Sequence, residues 1–264
     1  YYITTMTSDP KLAVCSCLLK KRDRHNGENT ELRGLNDNWS KSFELVEVCP
    51  ENELDMGVSN SALRLIKDQD RISLINPENG EDYTEVMLRY AEKKSDYLVA
   101  SGICGFVFAR DSPVFGLEKV MVYCGENRLT ISGGAGMFSK VFTTLYPQVP
   151  VIEGESLSNH TLYDNFISRV NLYYEWEKVG RTGWTKQKLQ SFHEQNKDFI
   201  QKIIPGAERI LSEISSQVSN ENQHPEYAAL DYITKAEKYL SDSIKTENLA
   251  VDSKQLQTTN IANI

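Results

Sequence analysis

Two stretches of the chain alternate helix-spaced and strand-like apolar patterns, and this alternation restricts the fold more than any other feature. From Glu81 to Lys94 the apolar residues Tyr83, Val86, Met87, Tyr90 and Ala91 keep the three-four spacing of one helical face, and Tyr97 to Ala100 then reads as a strand. Further on, Arg128 to Ser132 reads as a strand, Gly133-Gly134-Ala135-Gly136 as a tight turn, Met137 to Leu145 as a helix, and Val149 to Ile152 as a strand. Strand-helix-strand units of this kind lay their strands in parallel in one sheet and gather ligands at the carboxyl ends. The expected fold class is therefore α/β, with a mostly parallel, Rossmann-like central sheet.

Other segments extend this reading. Lys11 to Leu19 is a continuous apolar run, as in a buried strand, and Phe43 to Val48 and Arg71 to Ile75 also read as strands, with a helix over Val58 to Ile66. After Trp184 the pattern changes to polar amphipathic helices over Leu189 to Val218 and Tyr227 to Ile244, interrupted by Pro205-Gly206 and Pro225. This divides the chain into an α/β domain at 1–184, a helical extension at 185–246 and a mobile tail at 247–264.

The net charge of −8 argues against nucleic acid as a partner, because the phosphate backbone needs a positive field. No stretch approaches the roughly 18 apolar residues of a membrane span. The chain begins Tyr1-Tyr2, which leaves the compartment open: cytoplasmic, or luminal or secreted if a segment has been removed. Cys15, Cys17, Cys49, Cys104 and Cys124 all lie in or beside apolar segments and read as small buried hydrophobes; Cys15-Ser16-Cys17 does not have zinc-knuckle spacing. The helical stripes must bury against the domain or against another chain, and the second reading gives a homo-oligomer.

The sequence Ser132-Gly133-Gly134-Ala135-Gly136-Met137-Phe138-Ser139-Lys140 leads a strand through glycines into a helix start, which points backbone N–H groups at an anion such as a diphosphate; the other reading is glycines chosen for sterics alone. This run resembles the glycine motif of fringe-like and core-1 galactosyltransferases. With Leu12 to Lys21, the loop Asn76-Pro77-Glu78-Asn79-Gly80 and Asp96-Tyr97-Leu98-Val99, the chain from about Lys11 to Trp176 resembles glycosyltransferases of the A-type fold. The resemblance implies a nucleotide sugar bound by Ser16, Lys20, Arg22, Asn79, Ser101, Gly102, Gly133, Gly134 and Gly136, and a hydroxyl acceptor. It also implies Glu153 or Glu155 as the catalytic base.

That family's Asp-x-Asp metal motif should follow Val99, where this chain has Ala100-Ser101-Gly102. A divalent metal, manganese or magnesium, would then rest on Asp111, or the cations Lys20, Arg22 or Arg24 would take its place. Some of the same pieces also resemble aspartate/glutamate racemases, whose second catalytic cysteine would fall at Gly134 and leave Cys104 without a partner. A non-enzymatic protein that associates through its C-terminal helices is the alternative to a transferase.

Overall fold

The computed structural model describes residues 10–19, 39, 42–54, 63–124, 128–217 and 224–261. The chain forms two compact units, 1–159 and 160–264. The boundary thus precedes a long helix at His160–Gly180 that the sequence reading left within the first domain.

In the first unit, strands β1 (Lys11–Cys15), β2 (Glu44–Val48), β5 (Ile103–Phe108) and β8 (Val151–Glu153) form one sheet in the order β2-β1-β5-β8. All three of its pairings are parallel. Residues 12–15 of β1 and all of β5 are buried, as inner strands covered on both faces require. A second sheet, ordered β4-β3-β6-β7, is built from β3 (Arg64–Asp68), β4 (Arg71–Ile75), β6 (Val120–Cys124) and β7 (Arg128–Gly134). Its two hairpins are antiparallel, and β3 joins β6 in parallel. The single, mostly parallel central sheet expected from the sequence is therefore replaced by two sheets, one parallel and one mixed.

Among the described residues this unit also holds the α-helices α1 (Ser16–Leu19), α2 (Pro50–Glu53), α3 (Thr84–Ala100) and α4 (Met137–Leu145), with a 3-10 turn at Gly154–Ser158. The supposed strand at Tyr97 to Ala100 is the last turn of α3. Met87, Ala91, Ser95 and Leu98 form one buried stripe, so the helical period persists to the end. Gly102, at φ 85°, ends the helix in the left-handed region, and its N–H donates to the Val99 carbonyl. The helix expected over Val58 to Ile66 is corrected from residue 63 on, the earlier part lying outside the described residues: Leu63 and Leu65 are buried and Arg64 is exposed, the alternation of a strand, and β3 forms at Arg64–Asp68. The first apolar run is strand only to Cys15, after which the chain turns into α1.

Phe106 and Phe108, two residues apart on β5, stack at 4.0 Å between ring centroids, and Phe115, Phe138 and Phe142 pack around them. This aromatic core fixes α4 and the loop that follows β5.

The second unit is helical: α5 (His160–Gly180), α6 (Lys186–Ile203), α7 (Ala207–Gln217) and α8 (Pro225–Ile261). Thr185 caps α6 by accepting the Lys188 N–H at 3.2 Å, and Pro205-Gly206 separates α6 from α7, with Gly206 at φ 98°. Trp184, Phe192 and Tyr232 pack as an aromatic chain, and the Arg169 guanidinium pairs with the Glu237 carboxylate in the interior. α8 continues through Ile261, over most of the stretch read as a mobile tail.

Candidate active site

In a parallel sheet every strand delivers its last residue to the same edge. Here that edge receives Cys15, Ser16 and Cys17 from β1, Cys49 from β2, the loop from Arg110 to Leu117 after β5, and Glu153, Gly154 and Glu155 from β8.

The β2-β1 half of the edge carries sulfur. The turn from β1 into α1 folds Cys17 back over Cys15 and leaves the two Sγ atoms 2.6 Å apart. Burial pushes the Cys15 thiol well above its ordinary range, helped by its hydrogen bond to Cys17 and by the negative charges that Cys17 and Cys49 can carry. Either sulfur can donate in this pair; burial disfavours a thiolate at Cys15, and Cys17 is the less buried of the two. The Glu53 carboxylate accepts the Cys49 N–H at 3.4 Å and binds the Lys94 ammonium at 2.7 Å. Burial, then the charge of Glu53, raises the Tyr90 hydroxyl far out of reach of physiological pH. Glu53, Leu54, Val86, Arg89, Tyr90 and Tyr97 line a cleft of about 500 Å³.

The β5-β8 half is a clamp. Glu153 accepts the Leu117 N–H on Oε1 at 3.0 Å and the Arg110 Nε–H on Oε2 at 3.2 Å, while Glu155 accepts the Arg110 backbone N–H at 3.2 Å. Ser112 Oγ accepts the N–H groups of Val114 and Phe115, and Ser139 Oγ donates to the Gly116 carbonyl at 2.6 Å.

This loop covers the helix start where an anion site was expected. The N–H groups of Gly136, Met137 and Phe138 donate to the carbonyls of Gly116, Pro113 and Val114, at 2.8, 2.9 and 2.9 Å. A Cβ on Gly136 would stand 2.5 Å from the Val114 carbonyl, so glycine is required there by close backbone approach.

The other sequence-derived candidates are dispersed. Gly133 and Gly134 end β7 in the second sheet. Asn79 bonds Glu81 within its own turn, and Ser101 and Gly102 precede β5, at the opposite edge from the thiols. Ser16 is buried at the head of α1, Asp111 follows β5 at φ 56°, and Lys20, Arg22 and Arg24 lie outside the described residues. Among the described residues, no group of three or more His, Cys, Asp or Glu side chains is arranged to hold a metal ion. The thiol group itself was missed because each cysteine was weighed as a hydrophobe. Its signal was positional: Cys15-Ser16-Cys17 and Cys49-Pro50 each end a strand-like run.

A model of the 2-thiouracil desulfurase family matches residues 12–154. One similar solved structure is a 4Fe–4S-dependent thiouracil desulfidase, 21% identical with a TM-score of 0.39; the match covers 59% of this chain and 97% of that one. No curated protein matches the chain. The family match overturns the glycosyltransferase resemblance together with the transferase activity, nucleotide sugar and hydroxyl acceptor it implied. Its span takes in both halves of the edge, from β1 to Gly154.

Proposed function

The chain belongs to the 2-thiouracil desulfurase family, and from that premise we propose that its first unit removes sulfur from a thiocarbonyl carbon of a thiouracil-type ring. The observation that carries the reading is the convergence of Cys15, Cys17 and Cys49 at the carboxyl ends of two adjacent parallel strands.

The overall exchange is redox-neutral: a C=S carbon and water become a C=O carbon and hydrogen sulfide. The Cys17 thiolate, stabilised by the Cys15 S–H, adds to the carbon, and the thiocarbonyl sulfur takes one proton and leaves as hydrosulfide as its bond to that carbon breaks. Water then adds to the same carbon, and the Cys17 sulfur departs as thiolate. Tyr90 and Tyr97 give the neighbouring cleft walls suited to a flat heterocycle, and Glu53 belongs both to the cleft and to the Cys49 turn.

The solved neighbour is described as dependent on a 4Fe–4S cluster. Thiols are the right donor class for iron and sulfide, and such clusters are commonly held by four of them. Cys15 and Cys17, 2.6 Å apart, stand too close to bind separate irons, which leaves this edge two independent positions. The residues as arranged do not fit the group, and no step above passes through it.

The test is anaerobic incubation of the reduced full chain with 2-thiouracil, following sulfide release and loss of thione absorbance. Release that falls at least a hundredfold in Cys17→Ser supports the reading. Absence of sulfide, both from the reduced chain and after incubation with iron and sulfide, would sink it.

A further inference from the structure

The closeness of Cys15 and Cys17 bears on chemistry that the desulfurase reading does not require. The turn from β1 into α1 holds their sulfurs 2.6 Å apart, against about 2.05 Å in a disulfide. About half an ångström of closure thus separates the dithiol from a bond. The two members differ in access: Cys15 is 2% exposed, whereas Cys17 is half-buried and within reach of a small molecule from solvent. This is the layout of an attacking thiol and a resolving thiol built into one turn.

We propose that Cys15 and Cys17 form a reversible disulfide when the protein meets a hydroperoxide, and that this bond closes the thiol edge. The Cys17 sulfur attacks the distal oxygen of the peroxide, the O–O bond breaks, and the products are a Cys17 sulfenic acid and water or an alcohol. The Cys15 sulfur then attacks the Cys17 sulfur, the S–O bond breaks, and the hydroxyl leaves as water with the Cys15 proton. In sum, two thiols lose two electrons and two protons, and one peroxide is reduced. Burial keeps Cys15 protonated and slows its attack, while its fixed position beside Cys17 raises the effective concentration of the resolving sulfur. Cys49, just past the end of the adjacent strand, is the competing partner.

The sequence makes the test direct, because trypsin cuts after Lys11 and Lys20 and releases both cysteines in one peptide. The reduced full chain is treated with one equivalent of hydrogen peroxide, alkylated, digested and weighed. The expected result is a Leu12–Lys20 peptide lighter by about 2 Da and resistant to alkylation, restored by dithiothreitol. The same product should form in Cys49→Ser, while Cys15→Ser should instead leave a Cys17 sulfenic acid that dimedone traps. A peptide that stays fully alkylatable, or one cross-linked to the Cys49 peptide in the wild type, overturns the proposal. Because the readout is mass, the outcome is independent of whether 2-thiouracil is a substrate.

Discussion

Cys15 can support the chemistry only through Cys17, and the two roles separate by substitution. A hydrogen bond to a charged group is worth roughly 1.5–3 kcal/mol, or about one pKa unit or more. In Cys15→Ala the Cys17 pKa should therefore rise by about one unit, and in Cys15→Ser, which keeps a donor, by less. The pH dependence of iodoacetamide labelling at Cys17 measures this, and equal values in all three proteins would remove Cys15 from the mechanism. In the second unit, burial pushes Glu237 up to about 7 against the pull of Arg169. A carboxyl raised on folding stabilises most below its unfolded value, near 4.5, and loses that contribution as pH rises through 7. Stability should fall on the order of 3 kcal/mol between pH 5 and 8, and Glu237→Gln should flatten that slope in urea titrations. The buried pair was not legible in the sequence: Arg169 and Glu237 are far apart along the chain, and nothing in their local patterns announces it.

At the level of elements, the loop between β5 and β6 depends on Glu153 more than on its own residues. Glu153→Ala leaves the Leu117 N–H without its acceptor and releases the Arg110 side chain. The expected cost is roughly 1–3 kcal/mol, with faster amide exchange at Leu117 and Gly136 while β1 is unchanged. If exchange rose evenly across the unit, the clamp would be ordinary packing. Local pattern served well where one period ruled a segment, as in α4 and β4, whose bounds match the expectation residue for residue. It failed at Tyr97 to Ala100, where Leu98 and Val99 sit side by side and look strand-like in isolation. Only the stripe from Met87 to Leu98 shows them to be helix. That error moved the next strand from Ile103 back to Tyr97, and with it the place where metal-binding carboxylates were sought.

For the whole molecule, the amphipathic helices after Trp184 were legible, but the fold class was not: the strands divide into one parallel and one mixed sheet where a single Rossmann-like sheet was expected. Strand partners are chosen over long separations that no local window reports: β1 pairs with β5, and β3 with β6. The boundary at 159/160 makes its own prediction. A fragment of residues 160–264 should be strongly helical by circular dichroism and unfold cooperatively; a non-cooperative melt would show that it is not a self-sufficient unit.

The two sheets of the first unit are interleaved along the chain, with β3 and β4 falling between β2 and β5, and β6 and β7 between β5 and β8. Folding is delayed accordingly, because contacts between distant segments form late. During synthesis β1 emerges long before β5 exists to cover it. The Cys15-Ser16-Cys17 segment therefore leaves the ribosome with both thiols accessible, ahead of the strands that later bury Cys15.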